Sequence, residues 1–243
     1  MTDLSQRQKQ ILQSIIEEYT ETGEPVGSET LDKKYNLGVS PATLRNEMVN
    51  LTTLGYLKKP HTSAGRTPTP LSFRFYIKEL MQEKKLSVAQ EVSMREKIWD
   101  YRERLDKLLQ EATRELAEQT KSLAVATTDD GLLYSAGYAN MLEMPEFYDF
   151  SLTRRVLSVL DSFDFFNALF EKFTPEDDIN IILGEQLGSD LLSECSLVFV
   201  EYKTPKKHSG TIGVLGPARL RYSSIIPTVR YFGDLIEEVA KSW

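Results

Sequence analysis

The sequence predicts an α+β protein, and three observations predict it. The first 86 residues read as short amphipathic helices followed by a hairpin-like return. Residues 87–120 contain neither Gly nor Pro and read as helix. From Ser122 onward, strand-type apolar runs and helices are mixed. At 243 residues the chain has room for one or two domains and can bury a sizeable core. Its hydrophobic and charged fractions, 41% and 27%, are ordinary for a globular protein.

The elements follow from local signals. Ile11, Leu12, Ile15, Ile16 and Tyr19 recur at helical spacing, with Ser5 as N-cap and Gly23 as stop. Pro25 and Gly27 make a turn, and Ser28 opens a short helix carrying Leu31 and Tyr35, broken at Asn36–Gly38. Ser40-Pro41 opens a third helix: the serine accepts a backbone N–H, and proline suits the first helical position. Its buried stripe is Leu44, Met48 and Leu51; the opposite arc carries Ala42, Thr43, Asn46, Val49 and Asn50, with Arg45 at the flank. Tyr56–Pro60 reads as a strand, His61–Arg66 as a small polar tip, and Thr67–Thr69 as the return. Leu71–Met81 is a further amphipathic helix. Three helices and then a basic hairpin is the order of a winged helix-turn-helix, whose third helix enters the major groove while the wing lies on backbone or minor groove.

Charge supports this division. The net charge is −7, yet Thr30–Lys78 holds eight basic residues against only Asp32 and Glu47, a local basic face of the kind that meets phosphates. On the third helix, Asn can bridge adenine and Arg can fork onto guanine, and small neighbours let the helix approach a duplex. The candidate DNA-contacting residues are therefore Ser40, Ala42, Thr43, Arg45, Asn46 and Asn50 on the helix. On the wing they are Lys58, Lys59, His61, Thr62, Ser63, Gly65 and Arg66.

In the helical run, Met94, Ile98, Tyr101, Leu105, Leu108 and Ala112 step alternately by four and three, a heptad seam. It either packs on the chain's own second half or pairs with a second chain. In the latter case Ile98, Tyr101, Leu105 and Leu108 are the dimerisation residues, with the sheet edge near Gly210–Leu215 next. Beyond it, Ser122–Thr127 and Leu132–Ala136 read as a hairpin about Asp130-Gly131, and Thr153–Phe173 as a helix rich in Leu and Phe. Ile179–Leu183 is a strand, Ser189–Glu194 a short helix, Leu197–Tyr202 and Gly210–Leu215 strands, and Tyr222–Ser242 a closing helix. The expected division is a DNA-binding domain over 1–85, a helical linker over 86–121 and an α+β domain over 122–243.

Chemistry-bearing motifs are missing. HExxH, GxxxxGK[ST], CxxC, GxSxG and a GxGxxG after a strand do not occur. One cysteine and two histidines are too few for a zinc finger or a typical zinc enzyme. Asp129-Asp130 and Asp177-Asp178 read as solvated turn carboxylates, and Cys195 as a small core residue. No enzyme, cofactor or metal is expected. A polar N-terminus, a single cysteine and no apolar run long enough to span a bilayer point to the cytoplasm.

Two stretches, Pro25–Ser28 and Ser40–Met48, resemble the recognition region of HrcA-type heat-inducible transcription repressors, as do Leu54–Leu57 and Pro60–Thr69. In the second half, Pro145–Phe147, Ile182–Glu185, Cys195–Val198 and Gly213–Arg219 match that family in order. The resemblance implies a DNA-contacting helix over Ser40–Leu54 and a wing over His61–Arg66. It implies a homodimer on an inverted-repeat operator in double-stranded DNA near chaperone genes, a chaperonin partner that maintains activity, and a GAF-like second half. Members carry more chain before Ala136-Gly137-Tyr138, so a reduced GAF-like domain is expected here, and the family's mode of dimerisation does not carry over.

Two other readings compete with the repressor. One is a regulator whose second half senses a small molecule, disfavoured because no convergent polar cluster is visible there in sequence. The other is an adaptor whose winged helix binds protein, disfavoured by the basic stretch and the small groove-facing residues.

Overall fold

The computed structural model describes residues 4–61, 64–170, 179–187, 192–205 and 208–241. Thr62 and Ser63 of the expected wing tip, Phe173, Asp177-Asp178 and the start of the short helix at Ser189 lie outside these residues. The chain forms two compact units, Met1–Gln82 and Glu83–Trp243.

In the first unit, α1 (Gln6–Thr22) begins with a capping box between Ser5 and Gln8 and ends at Gly23, whose φ of 74° is a left-handed stop. Ile11, Leu12, Ile15 and Ile16 are buried. Two shorter helices follow, α2 (Ser28–Tyr35) and α3 (Pro41–Thr53). As the sequence requires, Ser40 accepts from the Thr43 N–H, Pro41 takes the first turn, and Leu44, Met48 and Leu51 are buried. The wing pairs β1 (Leu57–Lys58) with β2 (Thr67–Pro68) antiparallel, and Val26 makes an isolated antiparallel bridge to Arg66. Helix α4 (Pro70–Phe75), capped by Thr69, passes into one π-helical turn over Tyr76–Leu80. Its Phe75 meets Tyr56 edge-on at 5.5 Å.

The second unit is an α+β domain. Its antiparallel sheet has the order β4-β3-β7-β6-β5. These strands are β3 (Leu123–Thr128), β4 (Leu133–Ala136), β5 (Asn180–Leu183), β6 (Cys195–Lys203) and β7 (Ser209–Pro217). One sheet face packs on α6 (Leu105–Thr120) and α10 (Tyr222–Ala240). There Gly233 lies so close to Val200 that an added Cβ would fall 2.5 Å from its methyl. The other face carries Leu123, Val125, Leu197, Phe199 and Leu215, packed with Met141, Phe147, Leu152, Val156 and Phe166. Those partners come from α7 (Tyr138–Leu142), a 3-10 turn at Pro145–Tyr148, α8 (Phe150–Leu160) and α9 (Phe163–Phe170). Cys195 is buried in this core, and burial pushes its thiol up to about 12, so it has no thiolate character.

The structure corrects four expectations. The heptad run is not one helix: α5 (Val88–Trp99) ends at Asp100 and α6 begins at Leu105. The two pack together within the second unit, so 86–121 is not a separate linker. Ile98 and Leu108 are fully buried there, while Tyr101 and Leu105 are half-buried. Ile98 and Leu108 are thus spent within the chain, while Tyr101 and Leu105 keep part of their surface. Gly210–Leu215 is not a sheet edge, because β7 lies between β3 and β6. The helix expected over Thr153–Phe173 is two helices, broken at Asp161–Ser162.

One buried charge ties α1 to α2. Glu18 accepts from Lys34 Nζ at 2.7 Å and from Tyr35 Oη at 3.0 Å. The Lys34 hydrogen bond, opposed by burial and aided by Tyr35, holds the Glu18 carboxyl below its ordinary pKa of 4.5. A carboxyl depressed in the folded state contributes stability above its ordinary pKa and loses it as pH falls through the depressed value. Glu18→Gln is therefore expected to cost about 1–2 kcal/mol near neutral pH, discounted because Lys34 is half-exposed. The difference from the unaltered chain should be full above the ordinary carboxylate pKa and shrink progressively as pH falls through the depressed value. Urea unfolding followed by circular dichroism across that range checks both; a deficit constant with pH refutes the assignment.

Candidate nucleic-acid interface

Helix α3 presents Ala42, Arg45, Asn46, Val49 and Asn50 to solvent, with Thr43 half-buried. Neither Arg45 nor Asn46 has a side-chain partner among the described residues. Asn50 donates weakly to Glu47 at 3.4 Å, and Glu47 also accepts from Gln8 Nε2 at 3.2 Å, so Asn50 is partly held. Ser40 is engaged: its hydroxyl meets Thr43 Oγ1 at 3.0 Å and accepts the Thr43 N–H at 3.2 Å. Its place is therefore the helix start, which sets where the exposed arc begins.

On the wing, Lys58, Lys59 and His61 are exposed. Arg66 is not a free arm. Its backbone exchanges both hydrogen bonds with Val26, at 2.9 and 2.8 Å. Its Nε donates to Thr52 Oγ1 at 3.0 Å. Arg66 thereby fastens the wing to the last turn of α3. Gly65 is what permits this. A Cβ there would lie 2.4 Å from the Val26 carbonyl oxygen, closer than any side chain tolerates.

These elements enclose a concavity of about 540 Å³. It brings together Arg45, Lys59, Gly65 and Arg66, four of the residues singled out by sequence, and adds Val49. Asn46, Asn50 and Ala42 lie on the exposed arc outside it, as do Lys58 and His61 on the wing. The sequence reading missed its far wall, formed by Gly27, Ser28, Glu29 and Thr30 at the start of α2. No side chain caps that helix, so its first N–H groups are open to a phosphate. The Pro25–Ser28 turn ahead of a helix start is the signal that could have found them.

A helix with an open polar arc, a short antiparallel wing and a basic concavity between them define a winged helix-turn-helix DNA-binding regulator. Residues 3–81 match the family described as "Winged helix-turn-helix transcription repressor, HrcA DNA-binding", and residues 69–226 match "HrcA protein C terminal domain". The chain belongs to the HrcA family of heat-inducible transcription repressors, which are not enzymes.

Similar proteins include the heat-inducible transcription repressor HrcA of Symbiobacterium thermophilum, 28% identical over 97% of this chain and 98% of that protein. That of Moorella thermoacetica is 26% identical over 97% of each. Both alignments run over 336 positions, longer than the 243 residues here, so these relatives carry segments this chain lacks. A crystal structure of a protein described as hypothetical shares the fold, with a TM-score of 0.76 over 98% of both chains at 18% identity. No helix among the described residues is long and apolar enough to cross a membrane.

Gly65→Ala should open the Val26–Arg66 bridge and cost about 1–3 kcal/mol of stability, the scale of overpacking a tight site. A melting temperature equal to that of the unaltered chain would show that the close approach carries no weight.

Proposed function

We propose that this chain represses chaperone and chaperonin genes in the cytoplasm by binding an inverted-repeat operator as a homodimer, with chaperonin maintaining the active form. The observation that carries the reading is the pair Arg45 and Asn46, without side-chain partners among the described residues, on the exposed arc of α3 beside the basic concavity. Side chains free of intramolecular bonds keep their donors for base edges. Lys58, Lys59 and His61, together with the Gly65–Arg66 backbone, serve phosphate contact and register. Ser40 and Arg66 hold the recognition helix and wing in place. Thr43 and Ala42 supply methyls at the groove.

One winged helix reads one half-site, so an inverted repeat requires a second copy related by a two-fold axis. With Ile98 and Leu108 spent inside the second unit, the self-association surface shifts to its exposed apolar side chains. Tyr148 and Phe150 are 72% and 78% exposed, and Leu157 lies seven residues on from Phe150 along α8, on the same face. Exposed aromatic patches of this kind mark interaction surfaces. Family membership supports the chaperonin partner, and the same apolar patch is available to it.

Footprinting on the chain's own chaperone-gene promoters tests the function directly; no protected inverted repeat would reject it. Arg45→Ala and Asn46→Ala should each cost about 1–3 kcal/mol of operator affinity while leaving random-sequence binding nearly unchanged. Equal losses on both DNAs would assign these residues to phosphate contact instead.

The double change Tyr148→Glu, Phe150→Glu should give a monomer by sedimentation and a large loss of operator affinity, because charge cannot stay solvated in a closed interface. Both positions are exposed, so folding should survive. A variant that stays dimeric places the interface elsewhere.

A further inference from the structure

The sheet of the second unit changes character along its length on one face. Three adjacent strands show the change together. On β3 the row Leu123, Val125 continues to Thr127; on β7, Leu215 and Gly213 continue to Thr211; on β6, Leu197 and Phe199 continue to Glu201 and Lys203. The apolar end is packed by α7 to α9, whereas the polar end borders a cavity of about 230 Å³. Phe163 and Asn167 of α9 line the same cavity.

Solvated strand ends would explain charged residues there, but not buried hydroxyls. Thr127 and Thr211 are only 4% and 6% exposed. Their hydroxyl oxygens lie 2.7 Å apart, and Thr127 Oγ1 also accepts the Thr211 N–H at 3.3 Å. One hydroxyl hydrogen closes the contact between the two oxygens. The other has no acceptor among the described residues, which leaves a buried donor beside the cavity. Asp129 borders the cavity too and accepts from Ser209 N and Oγ at 3.2 and 3.4 Å, which fixes its carboxylate in position. The Glu201 carboxylate and the Lys203 ammonium have no side-chain partner among the described residues.

The site thus offers a fixed carboxylate and a free one, an ammonium, a spare hydroxyl donor and an aromatic wall. That set complements a small molecule carrying both charges. A lone anion would meet two carboxylates, and a lone cation would meet Lys203, each without compensation. The cavity is below the size of drug-type pockets and suits a molecule of about ten heavy atoms. From this geometry we infer that the second unit binds a free α-amino acid between α9 and the polar end of the sheet. The ligand ammonium is received by Glu201 and Asp129, and its carboxylate by Lys203 and the threonine hydroxyl.

The test uses the full chain and each of the proteinogenic L-amino acids at millimolar concentration, read by thermal shift and by isothermal titration. At least one should raise the melting temperature and bind saturably, while its N-acetyl and decarboxylated forms should not. Lys203→Met, at an exposed position that leaves the fold intact, should weaken binding about tenfold or more, the worth of one charge-assisted hydrogen bond. Thr211→Val should weaken it as well; if that buried change disturbs folding by circular dichroism, Lys203→Met decides alone. Binding by none of the amino acids, equal binding by the N-acetyl or decarboxylated forms, or undiminished binding by Lys203→Met overturns the inference. Operator binding is measured separately, so failure here leaves the repressor reading untouched.

Discussion

Val26 and Arg66 exchange both of their backbone hydrogen bonds, and the DNA-reading half of the molecule depends on that one antiparallel bridge. It ties the α1–α2 turn to the base of the wing, whose two short strands alone would be too small to hold a fixed orientation. It places the start of α2, the arc of α3 and the wing around one concavity. The Arg66 side chain extends the tie to Thr52 on α3. A residue that sequence logic assigns to DNA thus works inward as well, whereas Arg45, Lys58 and Lys59 stand exposed. The absence of a Cβ at Gly65 is the steric condition for all of it.

The second unit is governed by a sheet buried on both faces. Each face needs its own helical cover, and the chain supplies α6 and α10 for one and α7 to α9 for the other. This demand explains the fate of the heptad seam. Met94, Ile98, Leu108 and Ala112 are apolar because they close a helical hairpin within the unit. Lys97, which donates to the buried Glu115 carboxylate at 2.7 Å, pins α5 to α6 at the same place. Where the cover of α7 to α9 ends, that face of the sheet turns polar, at Thr127, Thr211 and Glu201.

Most of the winged half was legible in the sequence because its determinants are local. Ser5, Gly23 and Ser40-Pro41 are capping signals that act within one turn of chain, and the Leu44, Met48, Leu51 stripe is fixed by helical geometry. The recognition face followed, since the exposed arc is what remains once the buried stripe is assigned. The wall of the concavity at Ser28–Thr30 did not follow, because its proximity to Arg45 and Gly65 is a contact across the chain. Nor did the polar cavity of the second unit. Thr127, Glu201 and Thr211 are distant in sequence and meet only through strand register.

The sequence by itself determined the α+β class, the helix starts of the winged half, the basic stretch and the exposed polar arc of α3. Each of these rests on residue type and spacing within a few turns of backbone. The tertiary structure alone decided that the heptad stripe faces inward, that Gly210–Leu215 runs through the middle of the sheet, and that Arg66 braces the recognition helix. A periodic apolar stripe states that a surface must be covered and carries no information about what covers it. Pairing partners and register are set by contacts between residues far apart along the chain, and only the folded molecule brings those together.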